Sequence, residues 1–376
     1  MLNEILQHKT AVRGFMVSEK PAIGCAREWG PWSVWKTEVL LGGYLPLFAK
    51  AAQTGFHRTF IDCFAGSTIN LERDTRRAIA SSPRIALGVN PQFTHLLLFE
   101  RPRKARQLEK TLNTEFPNRS IRVMPGDCNL EIDNGLNWLK SQGNDANYGP
   151  HLGPAIAYLD PDKLDLAWTT VIRLASYLRE PQHQGQYVRM RPIEQLILFP
   201  TGPLKRALPQ SPKRRAKPSV ISKVGRFFGT DEWQRIYDAQ RAEQITGESS
   251  WLWYLDLYRC RLMELGYPHT SAIEVCNTKK VVLYHMVFAT AHIAGQNIMT
   301  ALQEEARRIL PQMITEERRR RLEEGAPCLF PQDDATLTSI ADDPSQFARL
   351  ITEEPRRFQP TEIPLTDAHK KQMNLF

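Results

Sequence analysis

Four carboxylates in this 376-residue sequence each close a short apolar run: Asp62 within His57–Gly66, Glu100 after His95–Phe99, Asp127 in Gly126-Asp127-Cys128-Asn129, and Asp160 in Leu159-Asp160-Pro161. An acid after a second strand can accept hydrogen bonds from both hydroxyls of a ribose, and one after a third can reach an adenine amino group. Asp160-Pro161 would set a carboxylate and backbone carbonyls against a target amine, turning its lone pair toward an incoming group. The Phe64-Ala65-Gly66 turn belongs to the same constellation. A loop leaving a first strand approaches a nucleoside so closely that a side chain at Gly66 would block it. Nicotinamide dinucleotides and S-adenosylmethionine both use such acids, and the loop separates them. A dinucleotide asks for several glycines and a helix N-terminus against its pyrophosphate, whereas Gly66 is followed by Ser67 and Thr68. S-adenosylmethionine is therefore the expected cofactor, held by Asp62, Phe64, Ala65, Gly66, Glu100, Asp127 and Cys128, with Asp160 and Pro161 at the acceptor. Any single acid of the set could instead cap a helix or pair with an arginine.

Positioning these side chains requires strands that all end on one edge. Apolar runs place strands at 59–64, His95–Phe99, Ile121–Met124, Ala155–Leu159 and Ile193–Phe199. Helical spacing falls between them over Trp35–Ala52, Arg103–Phe116 and a segment through Trp138. Ala272–Cys276 and Lys280–Ala289 flank Asn277-Thr278 and read as a strand pair on a tight turn. The expectation is an α/β, Rossmann-like, mostly parallel doubly wound sheet with a C-terminal strand pair and a ligand crevice beyond the carboxyl ends of its strands. Residues 1–56 would form an N-terminal helical segment packed on the core, and 57–310 the main domain with a basic, helical insertion over 201–270. Residues 311–376 would be a C-terminal helix and flexible tail.

A hydrophobic content of 42% over this length supports one large core. There is no run of eighteen apolar residues and no charged-then-apolar leader, so a cytoplasmic protein without membrane contact is expected. Six cysteines lack any Cys-x-x-Cys pair or histidine at ligand spacing, which speaks against structural zinc and a disulfide framework, and no metal site is expected. Cys63 and Cys128 sit at strand ends and could line the crevice, although a buried thiol in such a place is usually filler, and His285 and His292 read as satisfied histidines.

The net charge of +8 suits an anionic partner, and its distribution sharpens the point. Eight Lys or Arg residues occur between Lys205 and Arg226 without one acid, among them Arg206, Lys213, Arg214, Arg215 and Lys217. Such a stretch reads as a mobile basic loop beside the crevice that can track phosphates, of DNA rather than RNA, or else as a solvated loop. Trp251, Trp253, Tyr254 and Tyr258 could stack bases, yet their mixed spacing puts most of them in the core. Trp168, spaced with Leu164 and Ile172, reads as a helix face packed on the sheet, and Asp162 and Asp165 as N-terminal helix charges. At the C-terminus, Gln372, Leu375 and Phe376 would be anchors on a tether punctuated by prolines, similar to the peptides that dock into the apolar pocket of the DNA sliding clamp.

Several blocks, taken in order, resemble the three-Cys-motif partner proteins of bacteria and phages. They are Trp32-Ser33 with Lys36, Leu40 and Tyr44-Leu45; Asp62–Gly66; Ser82-Pro83 with Ala86-Leu87; Glu100; Asp127–Asn129; and Leu159–Pro161. Later blocks are Phe227–Thr230 with Trp233, and Tyr284–Phe288 leading to Gly295 and Ile298-Met299. The resemblance implies an S-adenosylmethionine-dependent methyltransferase fold and a partner, a three-cysteine protein that looks like a radical-SAM enzyme. Two places depart from the family: Ser67-Thr68 stand where it has Pro-Gly, and Asp162-Lys163 where it has Phe-Gly. The Phe-Ala-Gly block is also similar to the DNA cytosine-C5 methyltransferases, although the Pro-Cys turn that supplies their nucleophile is absent. The expected function is that of a methyltransferase-like protein acting on or with nucleic acid in a two-gene bacterial or phage system. The alternative is a non-catalytic nucleic-acid-binding or recruitment subunit that keeps the fold.

Overall fold

Strands whose residues are apolar on both faces need cover on both sides, and the computed structural model of the chain supplies it. It describes residues 28–52, 57–73, 76–142, 153–177, 192–211, 213–245, 247–277, 280–323 and 348–359. The strands are β1 Glu28–Trp29, β2 Thr59–Asp62, β3 Ile69–Glu72, β4 Ala78–Ala80, β5 His95–Glu100, β6 Ser120–Pro125, β7 Ala155–Leu159, β8 Glu194–Phe199, β9 His269–Cys276, β10 Val282–Thr290 and β11 Ala348–Ile351. Eight of them form the central sheet in the order β11-β9-β10-β8-β7-β2-β5-β6, and β1, β3 and β4 make a small second sheet. From β6 to β8 all neighbours are parallel. β10 then runs antiparallel to β8, β9 antiparallel to β10, and β11 antiparallel to β9. The parallel part follows the third-second-first-fourth-fifth order of a doubly wound dinucleotide fold, and the antiparallel β10 placed ahead of β9 is where the chain leaves that order. The mixed α/β fold with a large, mostly parallel sheet is thus as expected.

The helices are α1 Pro31–Val34, a π-helical segment Trp35–Leu41 that runs on into α2 Gly42–Ala51, α3 Ser82–Leu87, α4 Pro102–Glu115, α5 Cys128–Gln142 and α6 Trp168–Ala175. After β8 come α7 Thr201–Ala207, α8 Pro218–Phe228, α9 Glu232–Arg241 and α10 Leu252–Glu264, and after β10 the long α11 Ile293–Glu323. Strand alternation sorts the core into two halves. Ile61, Leu97, Phe99, Leu159 and Ile197 join Ile132 and Leu136 of α5 and Val171 of α6 on one face. Phe60, Leu96, Leu98, Ile156 and Leu196 join Tyr44 and Phe48 of α2 and Met299 and Leu302 of α11 on the other. Each such side chain contributes roughly 2 kcal/mol on burial, so a one-residue slip of a strand would exchange two full apolar sets and is strongly disfavoured.

Four expectations are corrected here. The N-terminal helix starts at Pro31, not Trp35, because proline suits the first helical position. The basic stretch is not one mobile loop: α7 and α8 bracket it, since Leu204, Val224, Phe227 and Phe228 are buried and hold both helices on the core. The boundary at 310 falls inside α11, which is continuous through Leu310 and Ile314, both buried. Part of the supposed flexible tail is structured: β11 pairs along β9. Beyond it Arg259 Nη2–H donates to the Glu353 carbonyl at 2.8 Å, and Phe358 meets Trp253 edge-on. Gln372, Leu375 and Phe376 lie outside the described residues.

Candidate functional site

The chain reverses its strand order between β2 and β7, and the carboxyl ends of β2, β5, β6 and β7 meet there. Backbone hydrogen bonds continue past the strands. Cys63 N–H donates to the Tyr158 carbonyl at 3.1 Å, Ala65 N–H to Phe99 at 3.0 Å, and Gly126 N–H to Glu100 at 2.9 Å. Gly66 has φ +68°, a left-handed conformation that glycine adopts without a Cβ penalty, and apart from its chain neighbours the nearest atom to where a Cβ would be is the Phe64 carbonyl oxygen at 4.0 Å. Its N–H donates to Glu100 Oε2 at 2.7 Å, while Glu100 Oε1 accepts from Arg101 N–H at 2.8 Å. The partly exposed Glu100 carboxylate therefore lies against the Gly66 turn, each of its oxygens accepting from a backbone N–H.

Asp62 and Cys128 behave differently from their expected roles. Asp62 is fully buried and turned inward: Oδ1 accepts from Phe64 N–H at 2.9 Å and Oδ2 from the Ser82 hydroxyl at 2.5 Å. Burial raises its pKa to about 7; the hydrogen bonds from Ser82 and Phe64 oppose the rise, and the charges of Asp160 and Glu100 add to it. It shapes the turn instead of meeting a ligand. Cys128 is buried in the core beside Cys63, whose thiol is pushed up by its hydrogen bond with Cys128 and by burial, so the Cys128 side chain is not offered to the crevice. Asp127 is exposed, and its Oδ1 accepts from Asn129 N–H at 2.9 Å and from Asn129 Nδ2 at 2.7 Å, an arrangement that caps α5. Asn129 Nδ2 also donates to the Asp165 carbonyl at 2.8 Å, and its Oδ1 accepts from Ala167 N–H at 2.7 Å, which ties the β6 turn to the loop after β7.

Around Asp160 the structure adds residues to which the sequence gave no role. Lys36 Nζ donates to Asp160 Oδ1 at 2.5 Å, and the Tyr158 hydroxyl to Oδ2 at 3.3 Å. The Lys36 ammonium also sits 5.9 Å from the centroid of Tyr284, whose hydroxyl donates to the Trp32 carbonyl at 2.8 Å. Burial, with the charge of Asp160 behind it, raises both phenols well above their usual range, so they remain neutral donors. Pro161 is buried. Lys36 was recognisable as part of the block with Trp32-Ser33, but without a role. Nothing in its spacing announced the π-helical segment that presents it.

Comparison with known proteins names no family for this chain. No family model matches the sequence, and no curated relative does. Among solved structures, protein LPL1258 of Legionella pneumophila str. Philadelphia 1, described under DUF519, is similar over 71% of this chain and 91% of its own, at a TM-score of 0.35 and 11% identity. Among the described residues no group of three or more His, Cys, Asp or Glu could hold a metal ion, and no helix is long and apolar enough to cross a membrane.

The basic stretch borders this site. Lys223 on α8 pairs with Asp165 at 2.7 Å, so Asp165 anchors α8 and is not an N-terminal charge of α6, whose N-cap is Ala167. Arg206, Lys213, Arg214, Arg215 and Lys217 are exposed, whereas Lys205 lies 5.6 Å from the centroid of Trp251. As their spacing indicated, most of these aromatics are core: Tyr254, Tyr258 and Trp251 are buried, and so is Trp168, against which Gly229 packs too closely to carry a Cβ. His285 is satisfied by Thr201 Oγ1 at 2.6 Å and Glu274 Oε2 at 3.2 Å, and burial holds its pKa below the usual value against the pull of Glu274.

Proposed function

We propose that the chain is an S-adenosylmethionine-binding, methyltransferase-like protein that acts on or with nucleic acid, DNA before RNA. One observation carries the reading: the Gly66 turn, Glu100, Asp127 and Asp160 share the carboxyl edge at the point where strand order reverses. The residues fit the cofactor. The open space at Gly66 stands beside a partly exposed carboxylate suited to ribose hydroxyls, with an exposed Asp127 further along the edge for an adenine amino group. The Phe64-Ala65-Gly66 backbone would face the methionine end. Bound there, the cofactor supplies an electrophilic methyl group. Asp160 would accept a hydrogen from the acceptor amine, and Tyr158 and Lys36 would hold its carboxylate in place. Ser67-Thr68 after Gly66 and the antiparallel β10 both favour this cofactor over a dinucleotide.

A second reading has its own observation. Both oxygens of Asp160 are already engaged, which suits a subunit that keeps the fold and recruits a three-cysteine radical-SAM-like partner to nucleic acid. Docking of Gln372, Leu375 and Phe376 on a sliding clamp and residence in the cytoplasm go with either reading. Calorimetric titration with S-adenosylmethionine and S-adenosylhomocysteine tests the first. Micromolar binding is expected, weakened about ten-fold or more in Glu100→Ala and Asp127→Ala, with Asp127→Asn as the variant that keeps the helix cap. No binding to the unaltered chain, with or without DNA, leaves the recruitment subunit.

A further inference from the structure

Resting on that reading, we propose that Lys36 is a specificity residue on the acceptor side, selecting a nucleobase edge on which a ring nitrogen adjoins an exocyclic amine. An ammonium carries donors only and a carboxylate acceptors only. Lys36 and Asp160, 2.5 Å apart with 12% and 18% of their side chains exposed, therefore offer a donor and an acceptor side by side at the carboxyl edge. That pair complements the ring nitrogen and amino group of adenine or cytosine. On thymine the two roles are exchanged: a carbonyl stands where the amine would meet Asp160, and a ring N–H stands where the ring nitrogen would meet Lys36.

Two further observations support the assignment. Lys36 lies on a π-helical segment, a local departure from regular helix that recurs at functional sites, and this segment, which buries Trp35, Leu40 and Leu41, brings Lys36 onto the strand edge. The surroundings also leave few other uses for the charge. Tyr158 and Tyr284 are neutral donors, and Asp160 is the anion it meets. A primary alkylammonium acceptor, such as a lysine side chain or a polyamine, would bring a like charge against Lys36 and is disfavoured. A base on a strand would not, and the Lys223–Asp165 pair joins basic α8 to the loop that follows Asp160.

The test is fluorescence anisotropy of the full chain with single-stranded oligo(dA), oligo(dC) and oligo(dT) of about twelve nucleotides, with and without S-adenosylhomocysteine. The expected result is binding of oligo(dA) or oligo(dC) about ten-fold tighter than oligo(dT), the tighter of the two identifying the base. The preference should vanish in Lys36→Met and persist in Lys36→Arg. Because Lys36→Met leaves Asp160 uncompensated and could unfold the chain, the double variant Lys36→Met/Asp160→Asn, checked by circular dichroism, repeats the measurement without either charge. Equal binding of all three oligonucleotides, or a preference that survives in the folded double variant, overturns the proposal. Calorimetry with S-adenosylhomocysteine separates the two claims. Its failure removes the cofactor reading, while the base preference still decides the role of Lys36.

Discussion

Asp62 shows how much a single buried carboxyl can dictate at this site. Held by Ser82 and Phe64 and pushed to about 7 by burial, it keeps its proton well above the range in which an unfolded chain loses it. The folded state therefore binds more protons than the unfolded state between about pH 4 and pH 7, and stability falls as pH rises through that window. Asp62→Asn removes the ionisation while keeping the shape. It is expected to match the unaltered chain in urea unfolding near pH 4 and to exceed it at pH 8, by up to about 4 kcal/mol. A variant less stable at pH 8 would show that the charged form is the one the turn requires. In the sequence Asp62 looked like a ligand-facing acid. Only the inward rotation toward Ser82, a residue twenty positions later, assigns it to the turn.

Among the elements, the segment 348–359 was least legible. Its polar, proline-punctuated surroundings suggested a tether, and four residues of β11 are too short a run to stand out from them. What secures it is tertiary: pairing along β9, and Ile351 and Phe358 buried against the α10 side of the core. Arg357 reaches Glu232 and Glu264, but these pairs are substantially exposed. Phe358→Ala is accordingly expected to cost about 3 kcal/mol in urea unfolding, and Arg357→Ala less than about 1 kcal/mol. The reverse ranking would mean that the ion pairs, not the apolar contacts, hold the segment. The π-helical segment was equally hidden. Helical spacing identifies a helix, whereas the extra residue in its turn depends on how α2 and α11 close around it.

Across the whole molecule, the charge distribution gives the clearest external prediction. Lys213, Arg214, Arg215 and Lys217 are exposed on one stretch between α7 and α8, and Lys223 ties α8 to the crevice loop. If this face tracks phosphates, replacing those four residues by alanine should lower the slope of log affinity for duplex DNA against log salt by about 3–4. An unchanged slope would remove this stretch from the interface. The antiparallel β10 and the edge strand β11 widen the sheet on the side away from β2, β5 and β6. The carboxyl ends of β2, β5, β6 and β7 carry Gly66, Glu100, Asp127 and Asp160, and Lys36 reaches them from the N-terminal helix.

The sequence by itself determined the parallel core, because buried strands need continuous apolar runs and those runs are visible in it. It also determined where acids would gather, because four of the five runs carry one at or just past their ends and parallel strands end together. The tertiary structure alone decided what each acid does. Glu100 braces the Gly66 turn, Asp127 caps α5, Asp62 faces inward, and Asp160 is paired with Lys36 from 124 residues earlier. Those outcomes depend on side chains brought together from distant positions, and neither period nor spacing along the chain encodes that proximity.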